Sequence, residues 1–251
     1  MTGPTGHRRD LPPVLPSDDG KVPVMALARF KDLCMDAADP VRLGEFWAEV
    51  LGRSWEQDGD GDGRLLGPTS RHTIWISRVP EPKTVKHRVH FDIYARRLAD
   101  LEALGSTVVR PAGDDRTWTV MADPEGGEYD AFLRDDRPAE RLHGLAVDSA
   151  DAAAQAEWWG AVYGVPVVHN PQGFSTLENV PGMPILTMDF ASVPEPKTAK
   201  NRIHWDVTVP AVQPLIDAGA TMLAPPDERA RWHVLADPEG NEFCAFTEGA
   251  Q

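Results

Sequence analysis

The chain has 251 residues, with 25 Lys+Arg against 39 Asp+Glu and a formal net charge of −14. An apolar share of 41% and a charged share of 25% belong to a globular protein able to bury a core, and the acidic balance argues against nucleic-acid and membrane-surface partners. Two cysteines, Cys34 and Cys244, exclude a disulfide-stapled scaffold and a four-thiolate zinc site, and no apolar run approaches the roughly 20 residues that span a bilayer.

Residues 1–23 read as a flexible tail: Arg8 and Arg9 precede Leu11-Pro-Pro-Val-Leu-Pro, too short and proline-broken for a signal segment, so a cytoplasmic protein is expected. Phe30–Ala37 has strand character. Asp39 then caps a helix with Pro40 in its first turn, Leu43, Phe46, Trp47, Val50 and Leu51 as its apolar stripe, and Gly52 as its stop. Short β-like runs follow at Ser54–Gln57, Gly63–Leu66 and His72–Val79. Val79-Pro-Glu-Pro-Lys-Thr84 is a stiff extended connector, because each proline fixes its own φ and restricts the residue before it. The pattern then restarts with a strand over Arg88–Tyr94, a helix over 96–104 stopped by Gly105, and strands ending in Tyr129–Leu133.

All of this occurs twice. Val79–Ile93 returns as Val193–Val207 and Trp118–Phe132 as Trp232–Phe246, both 114 residues on, while Asp151 caps a second helix ending at Gly164. Two copies are therefore expected, over residues 24–134 and 142–248, joined by a polar linker over 135–141. Each copy divides into two strand–helix–strands modules.

Such modules in tandem, with Asp-Pro-Glu-Gly-Gly-Glu128 and Asp-Pro-Glu-Gly-Asn-Glu242 before the closing strands, resemble the vicinal oxygen chelate superfamily, in its glyoxalase-like and bleomycin-resistance-like branch. The resemblance implies an α+β fold of tandem βαβββ modules forming two open cup-shaped β-barrel domains, one per copy, with helices outside and a ligand cavity inside. Strand alternation agrees with it. Val89, Phe91 and Ile93 share one face, which must meet the helices, so Arg88, His90 and Asp92 point into a cup, as do Arg202, His204 and Asp206.

The resemblance also implies a metal held by side chains of the opening and closing strands. Those positions fall on Asp32, Arg88 and Asp130 in copy one, and on Gly144, Arg202 and Cys244 in copy two. Arginine has no lone pair to offer a cation, so glyoxalase I activity itself is not expected. Asp32, His90 and Asp130 remain as candidates for a divalent metal in copy one. The alternative is internal ion pairing, Arg88 with Glu128 or Asp130, Arg202 with Glu242, and His90 with Asp32. His143, one residue off register, is expected to face outward, and the connector lysines Lys83, Lys86, Lys197 and Lys200 to be solvated.

The functional expectation is a small organic molecule bound in the copy-one cup and lyase- or isomerase-type acid/base chemistry, with His90, Asp32 and Asp130 catalytic. Arg88, Glu128, Trp75, His204 and Arg202 are the candidate substrate-binding residues. His90 and His204 can equally be structural. The competing expectation is non-catalytic binding or sequestration of a small molecule such as an antibiotic, against aromatic walls. Monomer and homodimer are both open.

Overall fold

The computed structural model describes residues 26–247 except 60, 115, 137 and 229; the expected tail over 1–23 lies outside the described residues. The first module comprises β1 (Arg29–Ala37), α1 (Pro40–Leu51), β2 (Ser54–Gln57), β3 (Gly63–Leu66) and β4 (Ile74–Arg78). The second has β5 (Val89–Ala95), α2 (Leu98–Ala103), β6 (Thr107–Arg110), β7 (Thr119–Ala122) and β8 (Glu128–Leu133). The third has β9 (Leu142–Ser149), α3 (Ala152–Tyr163), β10 (Val167–His169), β11 (Phe174–Glu178) and β12 (Thr187–Ser192). The fourth has β13 (Ile203–Val209), α4 (Gln213–Asp217), β14 (Thr221–Ala224), β15 (His233–Ala236) and β16 (Glu242–Thr247).

Local chemistry sets the helix ends. The Asp39 side chain accepts from Arg42 N–H and that of Asp151 from Ala154 N–H. Gly52 and Gly164 close the same two helices in the left-handed conformation, φ 68° and 66°, where a Cβ is disfavoured.

The sixteen strands form two open eight-stranded sheets, ordered β14-β15-β16-β13-β1-β4-β3-β2 and β10-β11-β12-β9-β5-β8-β7-β6. Each sheet takes four strands from each copy. This corrects the expectation that each copy curls into its own cup: modules one and four build one cup, modules two and three the other. Within a module the opening strand pairs on one side only, β1 with β4 and β5 with β8, and its other edge would stay bare. The Val79–Arg88 connector carries the chain from one sheet to the other, so the bare edge of β1 is closed by β13, and that of β5 by β9, both antiparallel.

The core joins the two modules of each copy across the sheets. Trp47 on α1 packs edge-on against Phe91 and Tyr129 of the β5/β9 sheet, with ring centroids 5.3 and 5.0 Å apart. Trp159 on α3 does the same to Trp205 and Phe243 of the β1/β13 sheet, at 4.9 and 5.1 Å. The sheet backs thus bury apolar residues beneath α1 and α3. Their other faces, which carry the ionisable side chains, form the cups. No helix among the described residues is long and apolar enough to cross a membrane.

Candidate functional site

The swapped pairing redistributes the expected site. His90 and Asp130 stand together on β5 and β8, whereas Asp32 lies on β1 in the other sheet. The expected grouping of Asp32 with His90 and Asp130, as catalytic set or metal site, and the Asp32–His90 pair are therefore corrected. The reason is topological, since modules one and two of one copy do not share a sheet.

In the β5/β9 cup, His90 Nε2 lies 3.5 Å from Asp130 Oδ2 and 4.0 Å from Asp92 Oδ1, with all three residues buried. Burial opposes a charge on His90, but Asp130, with Asp92 and Asp148 behind it, outweighs burial and holds the imidazolium up to about 9. Burial lifts the Asp92 carboxyl to about 8, with Asp130 and Asp189 adding to the rise and His90 opposing it. At neutral pH the cluster therefore holds an imidazolium and a carboxylic acid beside the Asp130 carboxyl group. Asp189 is held by the Thr176 and Thr187 hydroxyls, each at 2.6 Å.

Gly144, on the adjacent strand, gives Asp92 its room: a Cβ there would stand 3.1 Å from the Asp92 Cβ. The half-buried rim is aromatic. Trp118 stacks on Phe132 at 5.5 Å, Phe132 meets His143 edge-on at 4.9 Å, and His143 stacks on Tyr94 at 3.9 Å. His143 thus faces the cup, contrary to expectation. The ladder pairs Asp92 with Gly144 but Ile93 with Leu142, so His143 is the extra residue of a β-bulge and turns to the face that strict alternation denies it. Burial, with Arg134 nearby, lowers its pKa to about 4, so it is neutral.

The β1/β13 cup has the same plan with different chemistry. Its bulge falls at Lys31 and Asp32, opposite Asp206. The Lys31 ammonium lies 2.7 Å from Asp32, 3.8 Å from Asp206 and 4.2 Å from the centroid of the Phe246 ring. Trp75 Nε1 donates to Asp32 Oδ2 at 3.1 Å. Cys34 Sγ lies 3.7 Å from Asp206, and Cys244 Sγ 3.6 Å from His204 Nε2. Burial lowers His204 to about 4, so its imidazole is neutral at pH 7, and burial also raises Asp206 and both thiols. Neither cysteine is a thiolate nucleophile here.

The arginines are engaged elsewhere. Arg88 donates to Glu195 O at 2.7 Å and lies 3.7 Å from Glu239; Arg202 donates to Glu81 O at 2.8 Å and lies 3.3 Å from Glu125. Glu128 and Glu242 pair with Lys83 and Lys197, at 3.1 and 2.8 Å. The expected Arg88–Glu128 and Arg202–Glu242 pairs are corrected, because each arginine reaches across to the opposite copy. Lys83 and Lys197, expected in solvent, are largely buried in these pairs. Arg88, Arg202 and Glu128 thus already have protein partners.

A divalent ion, which the superfamily implies, fits one cup only. The ligating atoms of His90, Asp92 and Asp130 lie within 4.8 Å of one another. Asp92 Oδ1 is buried without a hydrogen-bond partner among the described residues. Small closures bring such donors to the roughly 2.0–2.2 Å that imidazole and carboxylate bonds require. Cys34, His204 and Asp206 converge similarly, but the Lys31 ammonium already supplies the positive charge there.

Sequence reading missed Asp92, Asp206, His143 and Lys31 as site members. For the aspartates the clue was visible, since each follows a cup-facing histidine by two residues in both copies. The bulged residues carry no such clue.

Among curated protein sequences none matches the chain. In fold, glyoxalase I from Zea mays is similar with a TM-score of 0.66 at 14% identity, covering 89% of this chain and 93% of that one. A putative dioxygenase from Bacillus subtilis gives 0.62 at 12% identity, covering 89% and 86%. At such identities the likeness concerns fold alone, and the fold is that of the vicinal oxygen chelate superfamily. The glyoxalase-like domain matches residues 32–132 and again 144–246, and the chain belongs to that family as a tandem of two such domains.

Proposed function

We propose that the protein is an enzyme acting on a small, flat oxygenated molecule, and that the β5/β9 cup is its reaction centre. The observation that carries this is the buried His90–Asp130–Asp92 cluster, in which an imidazolium 3.5 Å from a carboxylate sits beside a neutral carboxylic acid. Lyase- or isomerase-type chemistry suits that set. His90 Nε2 delivers a proton to a carbonyl oxygen while the Asp130 carboxylate accepts the proton from the adjacent carbon, and reversing both transfers at the neighbouring carbon completes an isomerisation. Asp92, protonated, donates a hydrogen bond to the same oxygen. The aromatic rim of Trp118, Phe132, His143 and Tyr94 favours an unsaturated substrate. A divalent ion held by His90, Asp92 and Asp130 in place of their protons would instead supply Lewis-acid polarisation of that oxygen.

The test is exchange of carbon-bound hydrogen into D2O for a panel of small α-hydroxycarbonyl and enol-forming compounds, followed by NMR. Exchange that His90→Ala and Asp130→Asn each reduce at least about a hundredfold supports the reading. Exchange unaffected by both substitutions defeats it.

A second reading, non-catalytic binding of the bleomycin-resistance type, draws on the β1/β13 cup, whose neutral histidine and thiols offer walls rather than a reacting group. A compound captured there and recovered chemically unchanged would support it. Two free cysteines suit a reducing, cytoplasmic setting.

A further inference from the structure

The two cups are built on equivalent positions, and the side chains that differ between them show what one of them lacks. Lys31 in β1 and His143 in β9 occupy the same place in the two bulges. In the β1/β13 cup the Lys31 ammonium lies 2.7 Å from Asp32, 3.8 Å from Asp206 and 4.2 Å from the Phe246 ring centroid. Two acids, a cation and an aromatic face thus complete one another within the chain.

In the β5/β9 cup Asp92 and Phe132 stand at the positions of Asp206 and Phe246, but Gly144 replaces Asp32. The lost acid returns one strand over. Trp75, beside Cys34 on β4, becomes Asp189, beside Ala146 on β12. Gly144 lies between the two acids: a Cβ on it would stand 3.2 Å from Asp92 Oδ2 and 3.2 Å from the Thr187 hydroxyl that donates to Asp189. The pair of acids is kept and the ammonium is gone. His143 stacks on Tyr94 instead and pairs with no acid among the described residues.

We propose that the β5/β9 cup binds a small aromatic ammonium compound, its charged nitrogen beside Asp189 in the role that Lys31 plays in the other cup. This rests on the acid/base reading of that cup and narrows its substrate to an amine that also carries a carbonyl group. Asp189 is half-buried, and no lysine, arginine or histidine pairs with it among the described residues. The Thr176 and Thr187 hydroxyls take one oxygen each at 2.6 Å, so each oxygen keeps a lone pair for an ammonium N–H. Asp92 is only 7% exposed, yet its Oδ2, beside Gly144, has no hydrogen-bond partner among the described residues and is not closed off as its Oδ1 is. That atom meets the carbonyl oxygen. Trp118, Phe132 and Tyr94 take the flat body and attract the cation. An anion finds no such welcome, because the His90 imidazolium already lies 3.5 Å from Asp130.

The probes are benzylamine, neutral benzyl alcohol and benzoate, titrated calorimetrically into the full chain at about 0.15 M salt, which largely screens the net charge of −14. Benzylamine is expected to bind 1:1, about tenfold or more tighter than either counterpart. Asp189→Asn should weaken it by about tenfold or more. His143→Lys, which supplies a built-in ammonium, should do the same while near-UV circular dichroism stays native. Absence of saturable benzylamine binding into the millimolar range overturns the proposal. So does equal affinity for benzyl alcohol, or an affinity that neither Asp189→Asn nor His143→Lys alters. Hydrogen exchange that still depends on His90 in that event would leave the acid/base reading standing and remove only the amine.

Discussion

Arg202 of the second copy lies 3.3 Å from Glu125 of the first, and the same carboxylate accepts from the N–H groups of Ala38 and Asp39, at 2.9 and 2.7 Å, where α1 begins. Arg88 and Glu239 repeat the arrangement in reverse, with Glu239 accepting from Ala150 and Asp151 N–H, both at 2.8 Å, before α3. The aspartate of each Asp-Pro-Glu-Gly turn prepares this: Asp123 Oδ1 takes Glu125 and Gly127 N–H, and Asp237 Oδ1 takes Glu239 and Asn241 N–H. The motif thus joins turn, helix start and opposite copy.

Glu125→Ala should therefore cost far more stability than a surface change. It leaves the Arg202 guanidinium buried without its carboxylate and two backbone donors unpaired, a loss of about 3–5 kcal/mol. Glu125→Gln keeps an acceptor for the backbone and should cost about half as much. Urea unfolding of the three proteins measures the order, and an Ala variant within 1 kcal/mol of the parent would contradict it.

The two copies should not fold independently. Residues 26–136 alone would leave the inner edges of β1 and β5 without β13 and β9, and Trp47 would pack on a sheet lacking half its strands. Expressed alone, that half is expected to self-associate or to lack native near-UV circular dichroism, while co-expression with the second half restores a 1:1 complex. Light scattering that finds a monomeric, native-like first half would refute this.

The sequence repeat made the modules legible, because helix caps, apolar stripes and strand alternation are local and each was present twice. Ser54–Gln57 and Gly63–Leu66 were read to the residue, and α1 and α3 start and stop at the aspartates and glycines that mark them. Strand partnership was not legible. Nothing local to β1 says whether β5 or β13 will pair with it, and the site followed the wrong choice: Asp32 was grouped with His90 when its neighbours are Lys31, Trp75 and Asp206. The bulge at His143 was invisible for a related reason, since period-two alternation assumes an unbroken ladder. The most conspicuous motif proved to be a joint between copies, while the chemistry sits on the quieter His-x-Asp alternation.

Stability should fall as pH rises from about 6.5 to 9. His90, with a folded pKa raised from 6.5 to about 9, contributes fully below 6.5 and loses that contribution as pH passes 9. Asp92 has the same sign, because the unfolded chain releases its proton near 3.8 and the folded protein only near 8. His87, His143 and His204, all lowered to about 4, act in the opposite sense and only below 6.5, where unfolding lets them take up protons and low pH destabilises the fold. Thermal unfolding between pH 6.5 and 9 isolates the cup cluster, and the expected loss is about 1–3 kcal/mol. In His90→Asn with Asp92→Asn the slope should flatten; an unchanged slope would place the titrating groups elsewhere.

A divalent ion entering the β5/β9 cup at pH 7 has to displace the protons of His90 and Asp92, so its uptake should release about two protons per ion. Titration calorimetry with Mn²⁺ or Zn²⁺ in buffers of different ionisation enthalpy counts them. Asp130→Asn should weaken the ion, because it removes one of three converging donors. The β1/β13 cup should stay metal-free while Lys31 holds its ammonium 2.7 Å from Asp32 and 3.8 Å from Asp206. Lys31→Met removes that charge from among Asp32, Cys34, His204 and Asp206, and should create a second site that prefers Zn²⁺ to Mn²⁺, as thiolate and imidazole donors do. Two zinc ions bound by the unsubstituted protein would mean that Lys31 does not exclude the cation, and the chemical distinction between the two cups would have to be sought in Cys244 and Asp130 instead.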